Sequence, residues 1–91
     1  MAKVVITAKV EDTAKWEAGF RSHGELFRRQ TNSSPIHLSI NAENEVALIF
    51  EPKNLETFMH LLDTEGPGAM ANDGVIRETV KLFVMDKEFQ I

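Results

Sequence analysis

Residues 45–51, EVALIFE, form the stretch that decides the fold. Its centre, residues 46–50, is apolar at every position, so a strand here has two faces that favour burial. Pro52 ends the strand, because proline lacks the backbone N–H that pairing inside a sheet requires. The stretch therefore predicts a central strand of a sheet that is covered on both sides.

The segment before this strand predicts its hairpin partner. Residues 36–42, IHLSINA, alternate with a period of two, which places Ile36, Leu38 and Ile40 on one face. Only a short connection separates the two strands, and short connections join antiparallel neighbours. Residues 36–51 are therefore expected to form a β-hairpin.

Both ends of the chain also carry strand patterns. Residues 3–10, KVVITAKV, alternate between apolar and mixed side chains, which predicts the first strand. Residues 75–85, VIRETVKLFVM, predict the last strand, which is apolar on both faces at residues 82–85.

A helix is expected between the first two strands, at about residues 14–30. Asp12 or Thr13 can cap its first turn, because a short side-chain oxygen accepts from the free amides there. Gly19 lies on the inner side and could allow a close approach to the sheet. The inward stripe on a 3.6-residue period comprises Trp16, Phe20, His23, Phe27 and Gln30.

A second helix is expected after Asn54, a plausible cap, with Leu55, Phe58, Met59 and Leu62 as its apolar stripe. Residues 63–74, DTEGPGAMANDG, contain helix breakers. They predict a break and one helical turn around Met70, closed by Gly74, in a mobile segment typical of a lid.

The predicted order βαββαβ, in one domain over residues 1–91, is that of the ferredoxin-like plait: an α+β fold with a four-stranded antiparallel sheet and both helices on one face. The other face would be bare in a monomer although its strands are apolar. Each large apolar side chain left in water forgoes about 1.5–3 kcal/mol. The sequence therefore predicts a homodimer through the sheet.

This pattern, together with VEDTAKW at residues 10–16, resembles the dimeric α+β barrel superfamily. That superfamily includes antibiotic-biosynthesis monooxygenase-like domains, haem-degrading monooxygenases, polyketide cyclases, muconolactone isomerases and stress-responsive barrel proteins. The resemblance implies that two sheets meet face to face as a barrel and that a ligand cavity lies between each sheet and its helices.

His23 is the candidate catalytic residue, because a histidine on an apolar inner stripe can act as a base or polarise a carbonyl. Its alternative role is structural, as a half-buried histidine bonded to the backbone or water. His37 is expected in the barrel or its mouth, and His60 in solvent. The expected ligand pocket comprises Trp16, Phe20, His23, Phe27, Phe58, Met59, Leu62 and Met70.

Composition and charge exclude several classes of function. The formal net charge of -4 disfavours nucleic acid, and the absence of cysteine excludes disulfides, iron–sulfur clusters and thiolate metal sites. The histidines show no metal-ligand spacing, and we expect no metal and no cofactor. No stretch is typical of a signal peptide or membrane span, so the expected location is cytoplasmic.

Three functions remain open from the sequence. The first is a homodimeric barrel that binds a small apolar or aromatic metabolite. The second is a cofactor-independent monooxygenase, isomerase or cyclase that uses His23. The third is a structural or regulatory dimer without a ligand, which a fully packed interior would distinguish from the other two.

Overall fold

The computed structural model describes residues 3–31 and 35–90, and for residues 23–31 it describes the backbone alone. Along the chain the elements are β1 (Lys3–Lys9), α1 (Thr13–Thr31), β2 (His37–Ile40), β3 (Glu45–Phe50), α2 (Leu55–Asn72), a 3-10 turn (Arg77–Thr79) and β4 (Lys81–Met85). The four strands form one antiparallel sheet in the order β2-β3-β1-β4, which confirms the predicted ferredoxin-like plait.

The core lies between the sheet and the two helices. Side chains alternate across the pleat of a strand, so every second residue of β1 and β3 points toward the helices. Together with the first turn of α1 and the first half of α2, these residues exclude water. The buried hydrophobic residues are Val4, Ile6, Ala8, Val10, Trp16, Val46, Leu48, Phe50 and Phe58.

The opposite face of the sheet carries an apolar row. The strand register pairs Ile49 with both Val5 and His37, and it pairs Val5 with Phe83. Ile49, Val5 and Phe83 therefore form an apolar row on the face turned away from the helices, and His37 continues this row at the edge strand. Ile49 is 42% exposed and Phe83 is 51% exposed, so this outer face is apolar and uncovered in one chain.

The start of α1 follows from its capping residue. Of the two candidate caps, Asp12 makes the contact: its Oδ1 accepts a hydrogen bond of 3.1 Å from the backbone N–H of Lys15. This bond satisfies one of the amides that a first helical turn leaves without a partner. It also fixes α1 directly after the end of β1, which brings Trp16 against the sheet.

The predicted break after residue 62 is wrong, because α2 continues as one helix through Pro67 to Asn72. A proline inside a helix removes one backbone hydrogen bond, but packing can offset that loss. Gly66 is buried, with Leu62 and Met70 beside it on the inner side of the helix. Directly after the helix, Asp73 is buried and packs on Gly19 of α1, so a tertiary contact holds the end of α2 beyond the local breakers.

Gly74 terminates α2, in the capping role that was predicted for it. Gly74 has φ 75°, a left-handed conformation that glycine adopts without strain. The N–H of Val75 donates to the carbonyl of Met70 (3.0 Å), and the N–H of Gly74 donates to that of Ala71 (3.3 Å). This pair of bonds is the Schellman motif, and it places Asp73 at the C-cap of α2.

The last strand is shorter than predicted. Only Lys81–Met85 pairs as β4, while Val75 makes a single bridge to Val10 and Arg77–Thr79 forms the 3-10 turn. The side chain of Thr79 explains the difference. Its Oγ1 accepts from the N–H of Lys9 (2.8 Å) and donates to the carbonyl of Ile76 (2.6 Å), so a hydroxyl replaces the strand's own hydrogen bonds at this point.

Candidate functional site

A cavity of about 690 Å³ lies between the sheet and the helices. A volume of this size is in the range of small-molecule sites. Strands β1 and β3 form its floor, and α1 and the second half of α2 form its walls. Its lining residues are Ile6, Ala8, Trp16, Phe20, Val46, Leu48, Phe50, Leu61, Leu62, Glu65, Gly66, Gly68, Ala69, Met70, Asn72, Asp73, Val75 and Val80.

Two aromatic rings on α1 line one wall of the cavity. Trp16 and Phe20 are one helical turn apart, and their rings stack with centroids 5.4 Å apart and planes inclined by 16°. Trp16 is almost completely buried, whereas Phe20 is half-buried. The stacked pair offers an apolar, polarisable surface to any molecule in the cavity.

One carboxylate, Asp73, lines the cavity from the C-cap of α2. It is 7% exposed and is the buried charged residue in the described part of the chain. A methyl group on Gly19 would lie 2.6 Å from Cγ of Asp73, so the carboxylate packs directly on the backbone of α1. Gly19 thus permits a close approach of Asp73, and not of the sheet as the sequence suggested.

The C-terminal end of α2 alone does not favour a carboxylate at position 73. The carbonyl groups at the C-terminus of a helix carry partial negative charge, which disfavours an anion there. Burial beside apolar side chains adds a desolvation cost. A residue at such a position is a candidate for function, since the helix end alone would favour a neutral or basic side chain.

The polar part of the cavity lining is acidic. It consists of Asp73, Asn72 and the more exposed Glu65. Among the lining residues that the structure describes, none is lysine or arginine. The other lining residues are apolar or glycine, so the cavity is largely apolar, with three polar residues in the part of its lining that the structure describes.

Four of the eight expected pocket residues line this cavity: Trp16, Phe20, Leu62 and Met70. Phe58 and Met59 do not, because they lie earlier in α2 than the lining residues, which begin at Leu61. Phe58 is fully buried and packs on Phe50, with ring centroids 5.1 Å apart. Met59 is half-buried and packs against the same core.

The side chains of His23 and Phe27 lie outside the described residues, so their expected places in the pocket stay predictions. The other two histidines are described. His37 is exposed on the outer face of β2, and His60 is exposed on α2.

The sequence analysis did not find Asp73, Glu65 or Ala8 as site residues. A partial signal existed for Asp73, because a carboxylate next to a helix-ending glycine contradicts the charge preference of a helix C-terminus. The contribution of Ala8 follows from its size, since a small residue on the floor of the sheet leaves room for the cavity.

Two classes of site do not occur in the described parts of the chain. Within residues 3–31 and 35–90, neither helix combines the length and apolar character that a membrane crossing needs. In the same residues there is no group of three or more histidine, aspartate or glutamate side chains that could hold a metal ion.

The four-stranded sheet and the two helices define a ferredoxin-like α+β fold. The chain is similar in structure to SnoaB, a cofactor-independent oxygenase from Streptomyces nogalater, with TM-score 0.71 and 18% identity over 99% of this chain and 95% of that one. It is also similar to an antibiotic biosynthesis monooxygenase, with TM-score 0.69 and 18% identity over 97% and 99% of the two chains.

A dimeric ferredoxin-like protein from an uncultured marine organism has the same architecture, with TM-score 0.51 and 11% identity over 100% of both chains. No family model matches the chain, and no curated protein matches it in sequence. At these identities the likeness is one of fold, and it confirms the ferredoxin-like fold of the single chain.

Proposed function

We propose that the protein binds a small apolar or aromatic metabolite in the cavity between its helices and its sheet. The observation that carries this proposal is the chamber of about 690 Å³ with an almost wholly apolar lining. A cleft of this size between a sheet and its helices is in the range of small-molecule sites, which are concave and mostly apolar. Its volume and composition suit a ligand of one to three fused rings.

The stacked rings of Trp16 and Phe20 support an aromatic ligand over an aliphatic one. Aromatic rings gain from offset or edge-to-face contacts with each other, beyond the area that they bury. Trp16 is also the sole tryptophan of the chain, so its emission reports directly on the occupancy of the cavity.

We expect the neutral probe N-phenyl-1-naphthylamine to bind in this cavity and to change the emission of Trp16. Energy transfer from the indole to the bound probe should saturate at one probe per chain, because the chain has one such chamber among its described residues. The measurement is a fluorescence titration. An unchanged Trp16 emission, with no increase in probe fluorescence, would contradict the proposal.

The matched variants are Ala8→Leu and Ala71→Leu. Ala8 is buried in the cavity floor, so leucine there should fill part of the chamber and weaken probe binding at least about tenfold. Filling a cavity commonly also stabilises a protein by about 0.5–2 kcal/mol. Ala71 is exposed on α2 and outside the lining, so its leucine variant should bind the probe like the unmodified protein.

The same proposal includes a second copy of the chain on the outer face of the sheet. The apolar row through Ile49, Val5 and Phe83 has no helix over it, and two-fold self-association is the commonest way to cover such a face. The dimeric protein of the same architecture supports this assembly. The two chambers of such a dimer would lie on the outsides of the paired sheets.

The second candidate function is a cofactor-independent monooxygenase, which the likeness to an oxygenase of that kind favours. An isomerase or cyclase is the related alternative. In each of these reactions His23 would act as the base or would polarise a carbonyl of the ligand.

For an enzyme, His23→Ala should reduce turnover of a bound ligand by at least about 100-fold, because a positioned acid or base contributes that much. His60→Ala should leave it unchanged, since His60 is exposed and outside the cavity lining. The assay follows dioxygen uptake and product formation with ligands found by the Trp16 titration. Equal turnover in both variants would remove His23 from the mechanism.

A further inference from the structure

The exposed part of the described chamber lining belongs entirely to the second half of α2. We propose that ligands enter the chamber across Gly68, between α2 and α1, and that the site takes aromatic compounds with a polar, linear substituent. The aromatic body lies inside the chamber, and the substituent extends past Gly68 into solvent. This inference rests on the proposed binding function and names the ligand class of that site.

The first step locates the entrance. The lining residues of β1 and β3 are buried, whereas Glu65, Gly68, Ala69 and Asn72 line the chamber and are exposed. Glu65, Gly68 and Asn72 follow one another at intervals of three and four residues, so they lie along one flank of the helix. A lining residue that is also exposed lies where the chamber meets solvent. This flank of α2 is therefore one edge of the entrance.

The second step identifies α1 as the opposite edge. On the other flank of α2, Asp63 and Pro67 line a separate cleft of about 290 Å³ together with Arg77, which lies shortly before β4. That flank faces the β4 side of the sheet, so the flank of Gly68 faces α1. The packing of Asp73, directly after α2, on the backbone of α1 agrees with this arrangement.

The third step is the space at Gly68. This residue has no side chain, and a methyl group added to it would meet no atom of the described chain within 4 Å. Glycine inside a helix is less favourable than alanine, so helix formation does not account for a glycine at this position. A passage beside a ligand chamber does account for it, because any larger side chain would narrow the gap.

The fourth step concerns the kind of ligand that such an entrance suits. An aromatic body gains free energy by leaving water for the largely apolar chamber and the stacked rings of Trp16 and Phe20. A polar group that is buried without a partner loses free energy, whereas a polar group in the entrance stays hydrated. A ligand with one apolar and one polar part therefore gains the burial of the first without the desolvation of the second.

The test compares two neutral ethers of 2-naphthol, the methyl ether and the triethylene glycol monomethyl ether. They share one aromatic body, and only the second has a chain long enough to leave the chamber. Displacement of N-phenyl-1-naphthylamine gives the dissociation constant of each. The two constants should agree within about fivefold. A long ether that binds more weakly than this limit would show that the chamber has no such exit.

Gly68→Leu should weaken binding of the long ether at least about tenfold and that of the methyl ether by less than about twofold. The leucine side chain would occupy the passage that the chain of the long ether needs, and a steric overlap of this kind commonly costs a factor of about ten or more. Ala71→Leu is the control, because it places the same side chain at an exposed position of α2 outside the lining. Circular dichroism establishes that each variant is folded.

Two further results would overturn the inference while leaving the binding function intact. One is a Gly68→Leu variant that weakens both ethers equally, and the other is a Gly68→Leu variant that binds both as the unmodified protein does. If neither ether nor the naphthylamine probe binds the unmodified protein, the proposed function itself fails.

Discussion

Replacing Gly19 by alanine should destabilise the protein by about 1–3 kcal/mol, although alanine normally favours a helix over glycine by about 1 kcal/mol. The cause lies in the contact between α1 and the end of α2. The new methyl group would overlap Oδ1 of Asp73 and lie 2.6 Å from its Cγ. Because Asp73 is buried, its carboxylate can avoid the methyl group only by giving up its packing on α1, or else the two elements must shift apart. Urea denaturation monitored by circular dichroism measures the change.

Two comparisons isolate this contact. In an Asp73→Ala background the carboxylate is gone, so Gly19→Ala should there be neutral or stabilising by up to about 1 kcal/mol. Gly68→Ala in the unmodified protein is the control for a glycine-to-alanine change in a helix, because a methyl group on Gly68 meets no atom within 4 Å. If Gly19→Ala proves as harmless as Gly68→Ala, the close packing of Asp73 on α1 is incorrect.

The periodic parts of the sequence predicted the fold well, for a physical reason. A strand or helix that lies on a core must repeat its apolar residues at the period of its backbone, so KVVITAKV and EVALIFE showed both their structure and their buried faces. The spacing of Trp16 and Phe20 likewise indicated which side of α1 faces inward. These patterns are local, so a sequence alone displays them.

The prediction failed where distant contacts override local preferences. Residues 66–68, GPG, predicted a break, but α2 continues to Asn72, and Asp73 directly after it packs on Gly19 of α1. In the same way, β4 begins only at Lys81, because the hydroxyl of Thr79 accepts from the N–H of Lys9, a residue of another strand. Neither contact leaves a mark in the neighbouring sequence.

The candidate site was predictable only in part. The aromatic wall at Trp16 and Phe20 followed from periodicity, whereas Asp73 joins the lining at the C-cap of α2, next to the Schellman turn at Gly74. The sequence predicted that turn but not the direction in which it carries the preceding side chain. That direction depends on the packing of α2 against α1, where Gly19 leaves the space that Asp73 fills.

Ile49→Asp should weaken self-association of the chain by about 10²- to 10⁴-fold. Ile49 lies inside the apolar row on the outer face, between His37 and Val5 in register, and it is 42% exposed in one chain. Aspartate there loses the remaining apolar burial and must also give up its water in the interface, together about 1.5–3 kcal/mol per copy, and a two-fold interface contains the position twice. The loss of about 3–6 kcal/mol corresponds to the stated change in the dissociation constant.

Light scattering and sedimentation at micromolar concentration provide the measurement. The unmodified protein should show about twice the chain mass of 10.3 kDa, and Ile49→Asp should show the mass of one chain. Thr57→Asp is the control, since it adds the same charge at an exposed position of α2, on the side of the sheet that carries the helices.

A well-folded Ile49→Asp variant that stays dimeric would place the interface elsewhere. A soluble monomer of the unmodified chain would show that the apolar outer face is tolerated in water, and the assembly through the sheet would then have to be abandoned.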